Sequence, residues 1–206
     1  MYINDLGAFV REFFIANLEW LGVLTGLVCV WLNVRQHIAG WFFAIISAGI
    51  YIKVFYDIRL LGEMYLQVFF IFSSLYGWWQ WRFGKKGSSI LHISYLPERY
   101  WYALLACAVL GTGLLGRWLL GQGGDLAYVD AALVSTSLVA TWMLARKYLE
   151  NWLLWIAADL AYIFMYLYKG AYPTALLYTL YLGLAYKGYR HWQKQLQNSK
   201  AIHSPH

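Results

Sequence analysis

The sequence predicts an all-α integral membrane protein of seven transmembrane helices in a 3+1+3 arrangement, with two parallel three-helix repeats. Three observations carry this. Of the 206 residues, 61% are hydrophobic and only 13% charged, about half the charge of a soluble domain. Seven apolar stretches approach the roughly 20 residues a bilayer-spanning helix needs. The segment Trp31–Trp81 recurs without a gap as Trp142–Trp192. Trp31 matches Trp142, Arg35 matches Arg146, Trp41 matches Trp152, Tyr51 matches Tyr162, Leu66 matches Leu177, Gly77 matches Gly188 and Trp81 matches Trp192. Tryptophan is abundant enough to align by chance in places, but chance rarely keeps Arg, Gly and several spacings in one register. Repeats of this kind are a mark of transporters, whose substrate site lies between the halves near the bilayer midplane.

The spans are expected at about 18–34, 38–56, 61–81, 100–121, 127–145, 151–168 and 171–191. Met1–Asn17 contains Asp5, Arg11 and Glu12 and lacks a basic leader and a small-residue cleavage site, so it reads as a short amphipathic or interfacial segment, not a secretory signal. Short linkers, Arg35–His37, Asp57–Leu60, Gln122–Leu126, Arg146–Glu150 and Lys169–Gly170, join most neighbours. The 82–99 loop, with Gly84, Lys85, Lys86, Gly87, Ser88, Ser89 and Pro97, is longer. The whole chain, 1–206, therefore reads as a single membrane domain: repeat 1 at about 18–81, the 82–99 loop, a connector helix at 100–121, repeat 2 at about 127–192 and a tail at 193–206. An odd triplet followed by one helix brings the second triplet in with the orientation of the first. The repeats are then parallel, related by an axis along the membrane normal.

Charge sets the sidedness. Arg35, Arg82, Lys85, Lys86, Arg99, Arg146, Lys147, Lys187, Arg190, Lys194 and Lys200 fall on one face, and Arg11, Lys53, Arg59, Arg117 and Lys169 on the other. The positive-inside rule makes the first face cytoplasmic, with the N-terminus outside and the C-terminus inside. The net charge of +6 is explained by these loop cations and needs no nucleic-acid partner. Cys29 and Cys107 sit in separate apolar runs and read as buried packing residues.

Polar groups deep in a span are costly unless they face a cavity or a partner. Asp159 is the clearest case. Trp155 precedes it by one helical turn, and Tyr162 and Tyr166 follow by one and two turns. A carboxylate among aromatic rings suits a flat cationic ligand, through stacking, cation–π attraction and charge. The plainer reading is a structural aspartate bonded to a neighbouring helix. Gln67 and its repeat counterpart Tyr178 put two different polar side chains at matching positions, and Gln67 suits ligand contact or helix–helix hydrogen bonding equally. Trp142, Tyr162, Tyr178 and Tyr181 complete the substrate-binding candidates. Asp130 and Glu63 each lie near a helix start, where a role in the helix dipole is as good as a role at a gate. The runs Tyr76–Trp81 and Tyr186–Trp192 close the two copies; Trp79, Trp81 and Trp192 read as an interfacial belt, and Gly77 and Gly188 as points of close helix approach. There is no P-loop. His37, His92, His191, His203 and His206 fall in loops or the tail without metal-binding spacing, so neither catalysis, metal nor cofactor is expected.

The run Arg146–Trp155, with Tyr76–Trp81, closely resembles the PnuC family of bacterial vitamin transporters, and the resemblance covers about Leu18 to Trp192. It implies a SWEET-like fold, a homotrimer in the inner membrane, and facilitated diffusion without an ion or ATP. The vitamin would be trapped by a cytoplasmic vitamin kinase that need not bind the carrier. Members carry nicotinamide riboside, thiamine or riboflavin. In the nicotinamide riboside carriers the sixth helix bears Trp-x-x-x-Asn as a substrate motif; here it reads Trp155-Ile156-Ala157-Ala158-Asp159. Where such carriers can place another Asn near the end of the seventh helix, this chain has Lys187. Asn pairs well with a carboxamide, whereas a carboxylate pairs with an aminopyrimidine. The sequence therefore favours thiamine, then nicotinamide riboside, with neutral riboflavin last. A structural or signalling membrane protein is the non-transport alternative.

Overall fold

A computed structural model describes residues 2–57, 61–86, 89–123, 126–168, 170 and 172–202. Among them are seven helices: α1 (Tyr2–Val34), α2 (Ala39–Asp57), α3 (Leu61–Phe83), α4 (Glu98–Gly121), α5 (Ala127–Ala145), α6 (Asn151–Tyr168) and α7 (Tyr172–Ile202). Residues 58–60 of the Asp57–Leu60 linker, Ser88, Lys169, His203, His206 and the side chain of Glu63 lie outside the described residues. The chain divides into two compact units, Met1–Trp78 and Trp79–His206.

Among the described residues, four helical segments are long and apolar enough to cross a bilayer: Asn17–Val34, Glu98–Gly121, Ala127–Ala145 and Asn151–Tyr168. The exposed face of α4 makes the solvent plain. Trp101, Tyr102, Leu105, Val109, Leu110, Leu114 and Trp118 are all exposed along it, with Tyr102 at 83% and Leu114 at 74%. Such a band is untenable in water and ordinary in lipid. Cys107 is exposed on this helix, so it is not the buried packing thiol expected; Cys29 is half-buried.

In the first unit α1 packs on α2. Gly22 lies under the Tyr51 ring, and Ser47 donates to the Gly22 carbonyl at 3.0 Å. In the second unit α5 packs between α4 and α6, and α6 packs on α7. Corresponding corners of the two units share local geometry. Gln36 and Lys147, in register in the sequence repeat, both have φ +55°. Each follows a helix closed by the same pair of bonds: Gln36 N–H to Asn33 O (3.0 Å) and His37 N–H to Leu32 O (2.9 Å), Lys147 N–H to Leu144 O and Tyr148 N–H to Met143 O (both 3.0 Å). This is the Schellman closure, with a left-handed residue that lets the chain reverse. The guanidinium of Arg35 lies 4.3 Å from the Trp31 ring centroid, and that of Arg146 lies 5.5 Å from Trp142. Trp41 lies flat on Gly77 and Trp152 on Gly188, because only glycine leaves room for the indole.

Three expectations change. Tyr2–Asn17 is continuous with the first span, since α1 runs unbroken from Tyr2 to Val34. Residues 193–202 of the expected tail belong to α7, which continues to Ile202, and His191 is helical. Trp192 does not belong to an interfacial belt. It is fully buried, edge-on to Trp152 (5.4 Å, 89°) and tilted against Trp81 (6.4 Å, 47°). Trp81 is half-buried, and its indole N–H donates to the Leu144 carbonyl at 3.2 Å; Trp79 remains exposed, as a belt residue would be.

The 82–99 loop is also more ordered than a linker. Strands β1 (Lys85–Lys86) and β2 (Ser89–Ile90) pair antiparallel. Ser94 then pairs with the α5–α6 link, its N–H donating to Lys147 O at 3.1 Å while its carbonyl accepts from Leu149 N–H at 3.0 Å. The Glu150 carboxylate accepts the Leu96 N–H at 2.9 Å just ahead of α4. Leu91 and Leu96 are buried beneath this strap, which is why an otherwise polar loop holds one course. The Lys147 ammonium lies 4.9 Å from the Trp81 ring centroid, and burial holds its pKa below the ordinary lysine value.

Candidate functional site

The second unit brings the acid and most of the expected aromatics together where α6 packs on α7. Asp159 is 3% exposed, although it is an acid in the middle of an apolar helix. Trp155 lies half-buried one turn before it on the same helix. Tyr162 follows on the next turn, and its ring stacks on Tyr178 of α7 at 4.4 Å and 26°. Tyr178 is close enough to Asp159 to feel its charge. Tyr181 meets Tyr178 edge-on at 5.8 Å and 73°.

Tyr166 belongs to this cluster, though it is not among the substrate-binding candidates drawn from the sequence. Its ring stacks on Tyr178 at 5.4 Å and 20°, and lies 6.1 Å from Tyr162 at 19°. The spacing 159, 162, 166 is one helical stripe, which was the available signal. Three nearly parallel rings beside a buried carboxylate form a surface for a planar cation: the faces attract positive charge and the acid supplies the opposite charge and a hydrogen-bond acceptor.

Two candidates stand elsewhere. Trp142 lies near the end of α5, between Tyr100 (5.9 Å) and Tyr148 (5.9 Å), against the buried cluster of Leu96, Met143 and Tyr148. Its ring supports the α5 corner beneath Arg146. Gln67 is half-buried on α3 in the first unit. Asp130 sits in the first turn of α5, where its charge complements the helix dipole. Lys187 is exposed.

Helices with lipid-compatible faces define a multi-pass membrane protein, and within it an acid–tyrosine cluster is buried between α6 and α7. Residues 16–194 match the family model described as nicotinamide mononucleotide transporter. The chain belongs to that family, which includes the PnuC transporters, and the resemblance read from Arg146–Trp155 and Tyr76–Trp81 is thereby confirmed. The nicotinamide riboside transporter PnuC of Escherichia coli (strain K12) is 28% identical, with 85% of this chain and 86% of that protein aligned. The riboflavin/roseoflavin transporter RibM of Streptomyces davaonensis is 26% identical, over 84% of this chain and 83% of RibM. A crystal structure of the vitamin B3 transporter PnuC superposes with a TM-score of 0.71 at 27% identity, covering 94% of this chain and 88% of that one.

Proposed function

We propose that the chain carries a flat, cationic vitamin into the cytoplasm by facilitated diffusion, with thiamine as the preferred substrate. One observation carries the preference: the residue at the end of the Trp155–Asp159 motif is a buried acid beside stacked tyrosines. A carboxylate accepts from the amino group of an aminopyrimidine and, when that ring is protonated, from the neighbouring ring nitrogen. Tyr162, Tyr166 and Tyr178 offer ring faces to a thiazolium. Asp159, Trp155, Tyr162, Tyr178 and Tyr181 are the proposed contacts in this unit; Gln67 is a separate proposed contact, by its chemistry alone. Trp142 stays a proposed contact, and its ring also supports the α5 corner.

Nicotinamide riboside is the second reading. It also carries a cationic ring, and the PnuC relatives bear its name. Overall identity does not separate the substrates, because a named riboflavin carrier is almost as similar, at 26%, as the named nicotinamide riboside carriers, at 28%. Riboflavin is neutral and gains least from Asp159.

The wider architecture belongs to the same proposal: two parallel three-helix repeats joined by α4, SWEET-like, assembled as a homotrimer in the inner membrane with the N-terminus outside. The matched φ of Gln36 and Lys147, the matched Arg–Trp pairs and the matched Trp–Gly contacts support a duplicated unit. Trapping by a cytoplasmic kinase would make uptake one-way. Titration calorimetry with thiamine, nicotinamide riboside and riboflavin tests the assignment. Thiamine should bind most tightly; a clear preference for either of the others would displace it.

A further inference from the structure

The cytoplasmic end of α7 has two chemically opposite sides. Ala185, Gly188, Trp192 and Leu196 are buried and recur at helical spacing, with Trp192 locked against Trp152 and Trp81. That packing fixes which side of the helix faces out. Lys187, Arg190, His191 and Lys194 are exposed on that side. Arg190, His191, Gln193, Lys194, Gln197 and Asn198 line one shallow hollow along it, a surface rich in hydrogen-bond donors. α7 itself carries no Asp or Glu, since Asp159 is the last acid in the sequence. Lys187 and Lys194 are two turns apart, about 10 Å along the axis, so the patch starts at the last apolar turn and extends through the depth of a headgroup layer.

We propose that this face of α7 docks on anionic phospholipid headgroups, with Lys187, Arg190 and Lys194 as the principal contacts. A sorted, acid-free row of cations rising from the edge of a membrane span matches a layer of phosphates in position and charge. The packed side holds the row rigid, so little side-chain surface must be ordered on binding beyond the cations themselves. The proposal rests on the proposed reading of α7 as a span that ends at the cytoplasmic surface, and is indifferent to which vitamin is carried.

Native mass spectrometry of the full chain in a neutral detergent tests it without reference to transport. Phosphatidylglycerol should be retained in preference to phosphatidylcholine with the same acyl chains. Each cation near a charged lipid surface contributes roughly fivefold, so the triple variant Lys187→Gln, Arg190→Gln, Lys194→Gln should bind phosphatidylglycerol on the order of a hundredfold more weakly. Its phosphatidylcholine binding should not change. Arg117→Gln, at an exposed cation on α4, should leave both lipids unaffected. Should the triple variant not fold, the unmodified protein still decides: salt of about 1 M, where the screening length is about 3 Å, should lower phosphatidylglycerol retention to the phosphatidylcholine level. Equal retention of the two lipids, equal binding by wild type and triple variant, insensitivity to salt, or an equal loss on Arg117→Gln would each overturn the proposal.

Discussion

In the proposed site Asp159 supplies charge and Tyr178 a stacking face, and single substitutions should separate the two. If Asp159 bonds an aminopyrimidine, Asp159→Asn should weaken thiamine binding by roughly 1.5–3 kcal/mol, the range for a hydrogen bond to a charged group. That is about tenfold to more than a hundredfold in affinity. Nicotinamide riboside binding should hold or improve, because the substitution supplies an amide for its carboxamide. Trp155→Ala and Tyr178→Ala should weaken both ligands, as ring faces do not distinguish one cation from another. Calorimetry on the folded variants checks all three; unchanged thiamine affinity in Asp159→Asn would make the carboxylate structural. The sequence pointed to Asp159 because it is a lone acid deep in an apolar helix, where the physical cost of charge is conspicuous. It named Tyr166 beside Asp159 but left it out of the binding candidates, because these helices are apolar on every side and hydropathy then says little about facing. Which tyrosine meets which is decided by the packing of α6 on α7.

Among the elements, the most exacting contact is the Trp152 indole on Gly188. A Cβ at Gly188 would sit 2.7 Å from three atoms of that ring, with Trp192 packed edge-on to it. Gly188→Ala should therefore cost about 1–3 kcal/mol, the usual range for overpacking. Gly183→Ala on the same helix meets nothing within 4 Å and should be neutral or slightly stabilising. Thermal unfolding in detergent compares them, and equal melting temperatures would contradict the close packing. The strap offers a second check. Glu150→Ala removes the acceptor of the Leu96 N–H and should speed hydrogen exchange at that amide, since nothing else is shown to hold it there. The helices themselves were legible in the sequence to within a few residues at most ends, because hydropathy marks a span directly. The continuation of α1 back to Tyr2 and of α7 on to Ile202 was not: both lie outside the apolar windows and are helical for reasons other than bilayer length. The strap escaped notice because its bonds join segments more than fifty residues apart through backbone groups, which every sequence possesses.

For the molecule as a whole, the proposed orientation puts α7's end in the cytoplasm. A cysteine at Ser199, which is exposed, should react with a membrane-impermeant maleimide only in inverted vesicles. Labelling in right-side-out cells would reverse the orientation. Transport without an energy source is read from uptake by the purified protein in sealed liposomes. With no proton or sodium gradient and no ATP, labelled thiamine should enter saturably until its internal and external concentrations are equal. Entry that stops when ion gradients are collapsed, or no saturable entry of either thiamine or nicotinamide riboside, would contradict a passive vitamin carrier.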